Sequence, residues 1–280
     1  MQEIHPLLQP KKYRFIDQST LGPGFSALQS FAMDDALSIS VGEQISPTAA
    51  RLWVHHNTIV LGIPDARLPY IDKGMDYLHE AGYEVIIRNS GGLAVVLDEG
   101  VMNLSLIFPN SKDLNIHEGY DAMVEFVRFL FADLTDEIEA YEITQSYCPG
   151  KYDLSIGGKK FAGISQRRVK QGSAVQIYLD VTGSGYERAA LLKHFYEISK
   201  LGEETRFEYP TIDPSVMASL NELLGTSLTV EDVRERILKQ LSEFSEAVVT
   251  HPLEGEEIEW FTKRLDQMIV RNEKARENLK

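Results

Sequence analysis

The chain has 280 residues, 43% of them hydrophobic and 9% aromatic, so it can bury a substantial core and lies near the upper size of one domain. A net charge of -14 lacks the basic footprint of a nucleic-acid binder. No stretch approaches the roughly 20 apolar residues of a membrane span, and MQEIHPLLQPKKYRF lacks a signal-peptide core, so a soluble cytoplasmic protein without nucleic-acid or membrane partners is expected.

Strand-like and helix-like segments alternate from Tyr13 to Val181, which points to a mixed α/β domain. SALQSFAMDDALSISV has apolar residues at helical spacing. RLWVHHNTIVLGI has the β-branched and aromatic runs of two paired strands, so a helix followed by a hairpin is expected. The next stretch predicts a helix closed by Gly82, a strand Tyr83–Arg88, a turn at Gly91–Gly92 and a strand Leu93–Leu97. MNLSLIF reads as a strand, HEGYDAMVEFVRFLFADL as an amphipathic helix, and EIEAYE as a short strand leading to the loop of Cys148. YDLSIGGKKFAGISQRRVKQGSAVQIYLDV alternates strands with glycine turns as an antiparallel meander does. The last third is helical, with Thr229 capping a helix to Phe244 and a charged helix from Glu256 to Leu279. A catalytic domain over residues 1–250 and a helical extension over 251–280, packed on it, is the expected division.

Two segments carry chemistry. In RNSGGLAVVLDEG, consecutive glycines between strands let a ligand approach the backbone, although a plain hairpin turn uses the same residues. In YCPGKYDLSIGGKKFAGISQRR, Cys148 precedes Pro-Gly and Lys160 follows near a strand start. Such a loop and strand can bring thiol and amine together. An ammonium favours the thiolate, and a lysine whose pKa is lowered by burial or by neighbours such as Arg167 and Arg168 accepts and returns a proton. The same residues also suit a buried thiol and exposed turn lysines. With one cysteine there is no intramolecular disulfide, and no spacing supports a metal site. His55 and His56 point to opposite faces of a strand, and Asp34 and Asp35 diverge on a helix where exposure to solvent is expected, so none of the four is placed in the site.

RFID, FAMDDAL, TIVLG, RNSGGLAVVLD, MNLSLIF and GKKFAGISQRR occur in an order that resembles the lipoate protein ligase A and lipoyl(octanoyl)transferase superfamily, from about Tyr13 to Val181. The resemblance implies a biotin/lipoate protein ligase-like α/β (α+β) catalytic domain, with mixed or antiparallel sheets flanked by helices. Lipoate ligases carry a pattern close to Arg-Arg-x-x-Gly-Gly-Gly-x-Val-x-His-Asp. Here Leu93 replaces the third glycine and Leu97 the histidine, which makes the site more apolar and argues against nucleotide use.

The SYCPGKYDLS loop together with RNSGGLAVVLD is most similar to the branch that moves octanoyl groups between protein lysines through a cysteine thioester. That resemblance implies Cys148 as nucleophile and Lys160 as acid–base, with Arg88, Gly91, Gly92, Leu93, Asp98 and Gly163 binding substrate and no cofactor. It implies the octanoylated glycine cleavage H protein as donor and the lipoyl domains of 2-oxoacid dehydrogenase E2 subunits as acceptors. Backbone N–H groups at Gly163 or Gly91–Gly92 are candidate oxyanion donors. Burying eight carbons is favourable by about 5 kcal/mol and calls for an apolar tunnel, to which Leu93, Val95 and Leu97 are candidate contributors. Transfer from octanoyl-acyl carrier protein, ATP-dependent lipoate ligation and a non-catalytic lipoyl-domain binder are the alternatives.

Overall fold

The computed structural model describes residues 4–109, 112 and 114–277. Eleven strands among these residues form two sheets. The larger contains β1 (Lys12–Gln18), β2 (Ala49–Val54), β6 (Val101–Phe108), β7 (Glu139–Ala140), β8 (Leu154–Ile156), β9 (Lys159–Val169), β10 (Gly172–Asp180) and β11 (Ala247–Val249) in the order β11-β1-β2-β6-β10-β9-β8-β7. β1 runs parallel to β2 and β11, and the other pairings are antiparallel. The smaller sheet places β3 (Thr58–Leu61) between β4 (Glu84–Ile87), its parallel neighbour, and β5 (Val95–Leu97), its antiparallel one.

On one face of the large sheet lies α1 (Ala27–Gly42), started by a capping box of Ser26 and Gln29. The opposite face is covered by α3 (Ile116–Leu130) and α6 (Val230–Phe244), whose Phe126, Val127, Ile237 and Leu241 enter a core with Leu104, Val175 and Ile177. The small sheet packs with α2 (Ile71–Glu80) and α4 (Gly185–Lys200) in a second core that includes Trp53 and Tyr178 of the large sheet. A short helix, α5 (Leu220–Leu224), precedes α6. The last helix, α7 (Glu256–Glu277), lies against α1 and β4. The expected continuation of that helix to Leu279 lies outside the described residues. Among the described residues no helix is long and apolar enough to cross a membrane.

The meander β8–β9–β10 forms as expected, its first turn made by Gly157 and Gly158 at φ of 56° and 76°. The expected hairpin of RLWV with TIVLGI does not form. β2 is buried along its whole length and pairs with β1 and β6, while β3 is the middle strand of the other sheet. Strands buried on both faces take partners on both sides, and the chain passes from one sheet to the other at Asn57, whose φ is 38°. Nor does the glycine segment close a hairpin. β4 and β5 flank β3 on opposite sides, so residues 88–94 cross over the end of that strand.

Asp34 and Asp35 are 1% and 2% exposed, against the expectation of solvent. With the sheet on one side of α1 and α7 on another, diverging side chains are both covered, and each carboxylate has its own arginine.

Candidate active site

Directly paired residues in neighbouring strands share a face, and this register builds the floor of the site. One row across the α1 face reads Trp53, Asn103, Tyr178 and Gly163 from β2, β6, β10 and β9, and the next reads Arg51, Ser105, Gln176 and Ser165. Asp34 of α1 holds the second row together. It accepts from Arg51 Nε and Ser105 Oγ, both at 2.7 Å, and from the Gln176 amide. A buried polar lattice with its members paired is rigid, and it gives the site a fixed base.

Above this base is a cavity of about 140 Å³ between the two sheets. Phe31 and Trp53, Val60, Leu93, Val95 and Leu97 supply its apolar wall, and Cys148, Pro149 and Gly150 lie on its margin. The three residues of RNSGGLAVVLD that alternate, Leu93, Val95 and Leu97, thus all face the cavity.

The structure brings Cys148 and Lys160 together. Lys160 is fully buried at the start of β9, and its Nζ lies 3.4 Å from Cys148 Sγ. The same nitrogen reaches the Cys148 carbonyl at 2.6 Å, Ser146 Oγ at 3.2 Å and Asp153 Oδ1 at 2.8 Å. Oδ2 of Asp153 accepts from the amides of Ile143 and Gly150, both at 3.1 Å, which ties the carboxylate to both ends of the Cys148 loop. Burial raises the Asp153 carboxyl above its ordinary range, while Lys160 and the two amides pull it down. Lysine is a three-proton donor and accepts nothing when charged, and every partner here accepts, so this arrangement suits an ammonium beside a thiolate. Lys159, by contrast, is exposed.

Arg88 lines the cavity at 8% exposure. Its Nη2 donates to the Leu93 carbonyl at 3.1 Å, its Nε makes no hydrogen bond, and burial depresses its pKa against the opposing pull of Cys148. Gly92 has φ of 95°, and a Cβ there would lie 2.2 Å from Arg88 Nη2. Gly62 at the end of β3 is equally constrained, since a Cβ would meet the Gly92 carbonyl oxygen at 1.8 Å. Gly91 is exposed and outside the cavity wall. Gly163 is on the wall, under the Tyr178 ring. Asp98 is elsewhere: both its oxygens receive Arg188, at 2.7 Å each, beside buried Asp180.

Arg167 and Arg168 do not accompany Lys160. Arg167 grips Asp35 with Nε and Nη2 at 2.6 and 2.9 Å and donates Nη1 to the Asn89 carbonyl, and Arg168 donates to the Leu114 carbonyl. The buried cation that shares the cavity with Cys148 is Arg88. His55 is buried against Ser30 Oγ at 2.9 Å, and His56 pairs with Glu99 at the surface. Three residues escaped the sequence reading: Asp153, Ser146 and Tyr178, the last with its hydroxyl 3.5 Å from Sγ.

Known proteins agree with this architecture. Residues 26–242 match the lipoyl protein ligase A/B catalytic domain. The chain is 54% identical to an octanoyl-[GcvH]:protein N-octanoyltransferase of Oceanobacillus iheyensis, over 98% of this chain and 99% of that one. It is 45% identical to a lipoyl-[GcvH]:protein N-lipoyltransferase of Listeria monocytogenes, over 96% and 97%. Among solved structures, a lipoate-protein ligase A superposes with a TM-score of 0.70 at 19% identity, covering 91% of this chain and 95% of that one. A lipoate protein ligase from Thermoplasma acidophilum with bound lipoic acid gives 0.68 at 18% over the same shares, and both likenesses show the α/β fold of mixed sheets flanked by helices. The chain belongs to the lipoyl protein ligase A/B catalytic-domain family.

Proposed function

We propose that this protein transfers an octanoyl group from a lysine of the glycine cleavage H protein to the lipoyl-domain lysine of 2-oxoacid dehydrogenase E2 subunits, through a thioester on Cys148. The observation that carries the reading is the cluster of half-buried Cys148 with buried Lys160 and Asp153 at the margin of an apolar cavity. The octanoyltransferase relatives support the acyl group and the donor.

The thiolate of Cys148 attacks the donor amide carbonyl, and a tetrahedral oxyanion forms. Its collapse breaks the C–N bond as the Lys160 ammonium passes a proton to the departing lysine, leaving an S-octanoyl cysteine, a neutral donor amine and a neutral Lys160. The acceptor amine then adds to the thioester, gives its proton to Lys160 and expels the thiolate, which restores the starting ion pair. Gly92 and Gly163 on the cavity wall are the proposed sources of amide donors to the oxyanion. Both ends of the exchange are lysine amides, so the overall change is nearly balanced and no nucleotide is needed.

The test is intact-mass analysis after mixing the enzyme with octanoylated H protein. One octanoyl adduct, released by neutral hydroxylamine, absent in Cys148→Ala and passed to an E2 lipoyl domain without ATP, is expected. Loading only from octanoyl-acyl carrier protein, or only from free octanoate with ATP, overturns the donor. The Listeria relative's name makes lipoylated H protein the second donor to offer.

A further inference from the structure

We propose that the Tyr178 hydroxyl is the second hydrogen-bond donor to the Cys148 sulfur, holding it as the thiolate that attacks the acyl donor and later leaves from the thioester. The assignment rests on the transfer chemistry proposed above and adds a catalytic residue to it.

An ammonium has three protons, and Lys160 Nζ has four acceptors around it, of which the sulfur, at 3.4 Å, is the most distant. Asp153 and the Cys148 carbonyl take the short bonds, so the sulfur receives only a share of one proton. A half-buried thiolate held by that share alone is poorly compensated.

Tyr178 supplies the missing donor. It lies on β10, 6% exposed, and its ring is laid over Gly163 directly across on β9, where a Cβ would come within 2.6 Å of Cε1. The glycine thereby allows the phenol to reach the sulfur, at 3.5 Å. Buried tyrosines ordinarily give their hydroxyl a partner, and Sγ is the partner here. Burial, then the charge of Cys148, push the phenol well above its ordinary range, so it keeps its proton throughout and acts only as a donor.

Among the described residues, six titratable or charged groups bear on this sulfur, one of them, Asp153, through Lys160. They are Lys160 of β9, Asp153 beyond the Cys148 loop, Arg88 at the end of β4, Tyr178 of β10, Tyr147 next in the chain and Tyr196 of α4. Tyr147 is the natural control. Its ring stacks on Tyr178 with centroids 6.0 Å apart, and its hydroxyl faces that of Tyr178 rather than the sulfur.

Because Cys148 is the single cysteine, iodoacetamide alkylation followed by mass spectrometry across pH reads this thiol alone and needs no acyl donor. For Tyr178→Phe, which keeps the ring, the alkylation midpoint should rise by about one pH unit, a tenfold loss of thiolate below it. Tyr147→Phe, which removes a competing acceptor for the Tyr178 proton, should not raise the midpoint. Acylation by octanoylated H protein should slow about tenfold below the midpoint and match or exceed the parent above it, since a more basic thiolate is the better nucleophile. Gly163→Ala keeps the hydroxyl but displaces the ring, and should move the midpoint the same way should Tyr178→Phe not fold. A midpoint that stays or falls in Tyr178→Phe, an equal rise in Tyr147→Phe, or a rate loss uniform across pH overturns the proposal. Parent enzyme that titrates as expected yet forms no octanoyl adduct would instead refute the transfer reading and leave the hydrogen bond standing.

Discussion

The two walls of the cavity are built differently. Cys148, Lys160 and Asp153 are held by the large sheet and by amides of their own loop, with the Asp34 lattice beside them. The Arg88–Gly92 wall belongs to a crossover between the outer strands of the small sheet, held from outside. Asn272 of α7 donates to the Ile87 carbonyl and accepts from the Ile87 amide, and Asp35 with Arg167 secures Asn89. On the far side, Tyr196 accepts the Ala94 amide and donates to Asp65, which also takes the Gly62 amide. In the proposed reaction the first wall carries the groups that exchange protons and bonds, while the second, apart from the Gly92 amide, shapes the space for the acyl chain. Damage to the first should appear in the chemical step and damage to the second in substrate binding.

The largest expected effect is on the first wall. Lys160→Ala should slow both acylation and deacylation by about 10²–10⁴-fold in single-turnover experiments, whereas exposed Lys159→Ala should stay within about twofold of the parent. A Lys160→Ala rate within about twofold of the parent would remove that residue from the proton path. Next comes Asp153→Ala, which leaves the Lys160 ammonium buried without its carboxylate. Loss of one member of such a pair costs about 3–5 kcal/mol, so a fall in urea stability near the lower figure, together with reduced turnover, is expected. Unchanged stability would mean that Lys160 sheds its proton at little cost, and the resting ion pair would have to be redrawn.

The second wall should respond on another axis. Asn272→Ala removes two hydrogen bonds to Ile87 without touching the cavity, and Asn89→Ala loosens the next anchor. Each should raise KM for the octanoylated donor about five- to tenfold, the equivalent of about 1–1.4 kcal/mol, with kcat little changed. A loss in kcat with KM intact would show that the crossover positions the reacting atoms as well, and the contrast between the walls would fail.

The same contrast explains what the sequence disclosed. The Cys148–Lys160 pair was legible because a short loop and the strand after it confine both groups, and the meander that holds them is local. The partners of β2 and β3 were not, because pairing in an all-buried strand is set by distant segments and leaves no alternating signature. Tyr178 is 30 residues from Cys148 and reads as core. The available signal was in β10 itself, where Gln176, Tyr178 and Asp180 share one face of a strand whose other face, Val175, Ile177 and Leu179, is apolar. The burial of Asp34 and Asp35 needed the knowledge that α7 covers α1, which no local pattern carries.

The smallest expected effect distinguishes the walls by pH. His55, buried behind Trp53 of the large sheet, is pushed down to about 4 by desolvation and then by the charge of Arg51. Between pH 6.5 and 4 the unfolded chain therefore binds more protons at this position than the folded one, and its contribution to stability is lost as pH falls. Asp65 behind the crossover runs the other way. Burial raises it to about 6, so between pH 4 and 6 the folded chain holds more protons, and stability from this group is lost as pH rises. The two partly cancel in the parent. In urea titrations at pH 8 and pH 6, His55→Gln should lose about 1 kcal/mol less than the parent on acidification, whereas Asp65→Asn should lose slightly more, because it lacks the opposing gain. Parallel pH profiles for all three proteins would mean that the two buried groups keep ordinary affinities for protons, and that the walls differ in their hydrogen bonds alone.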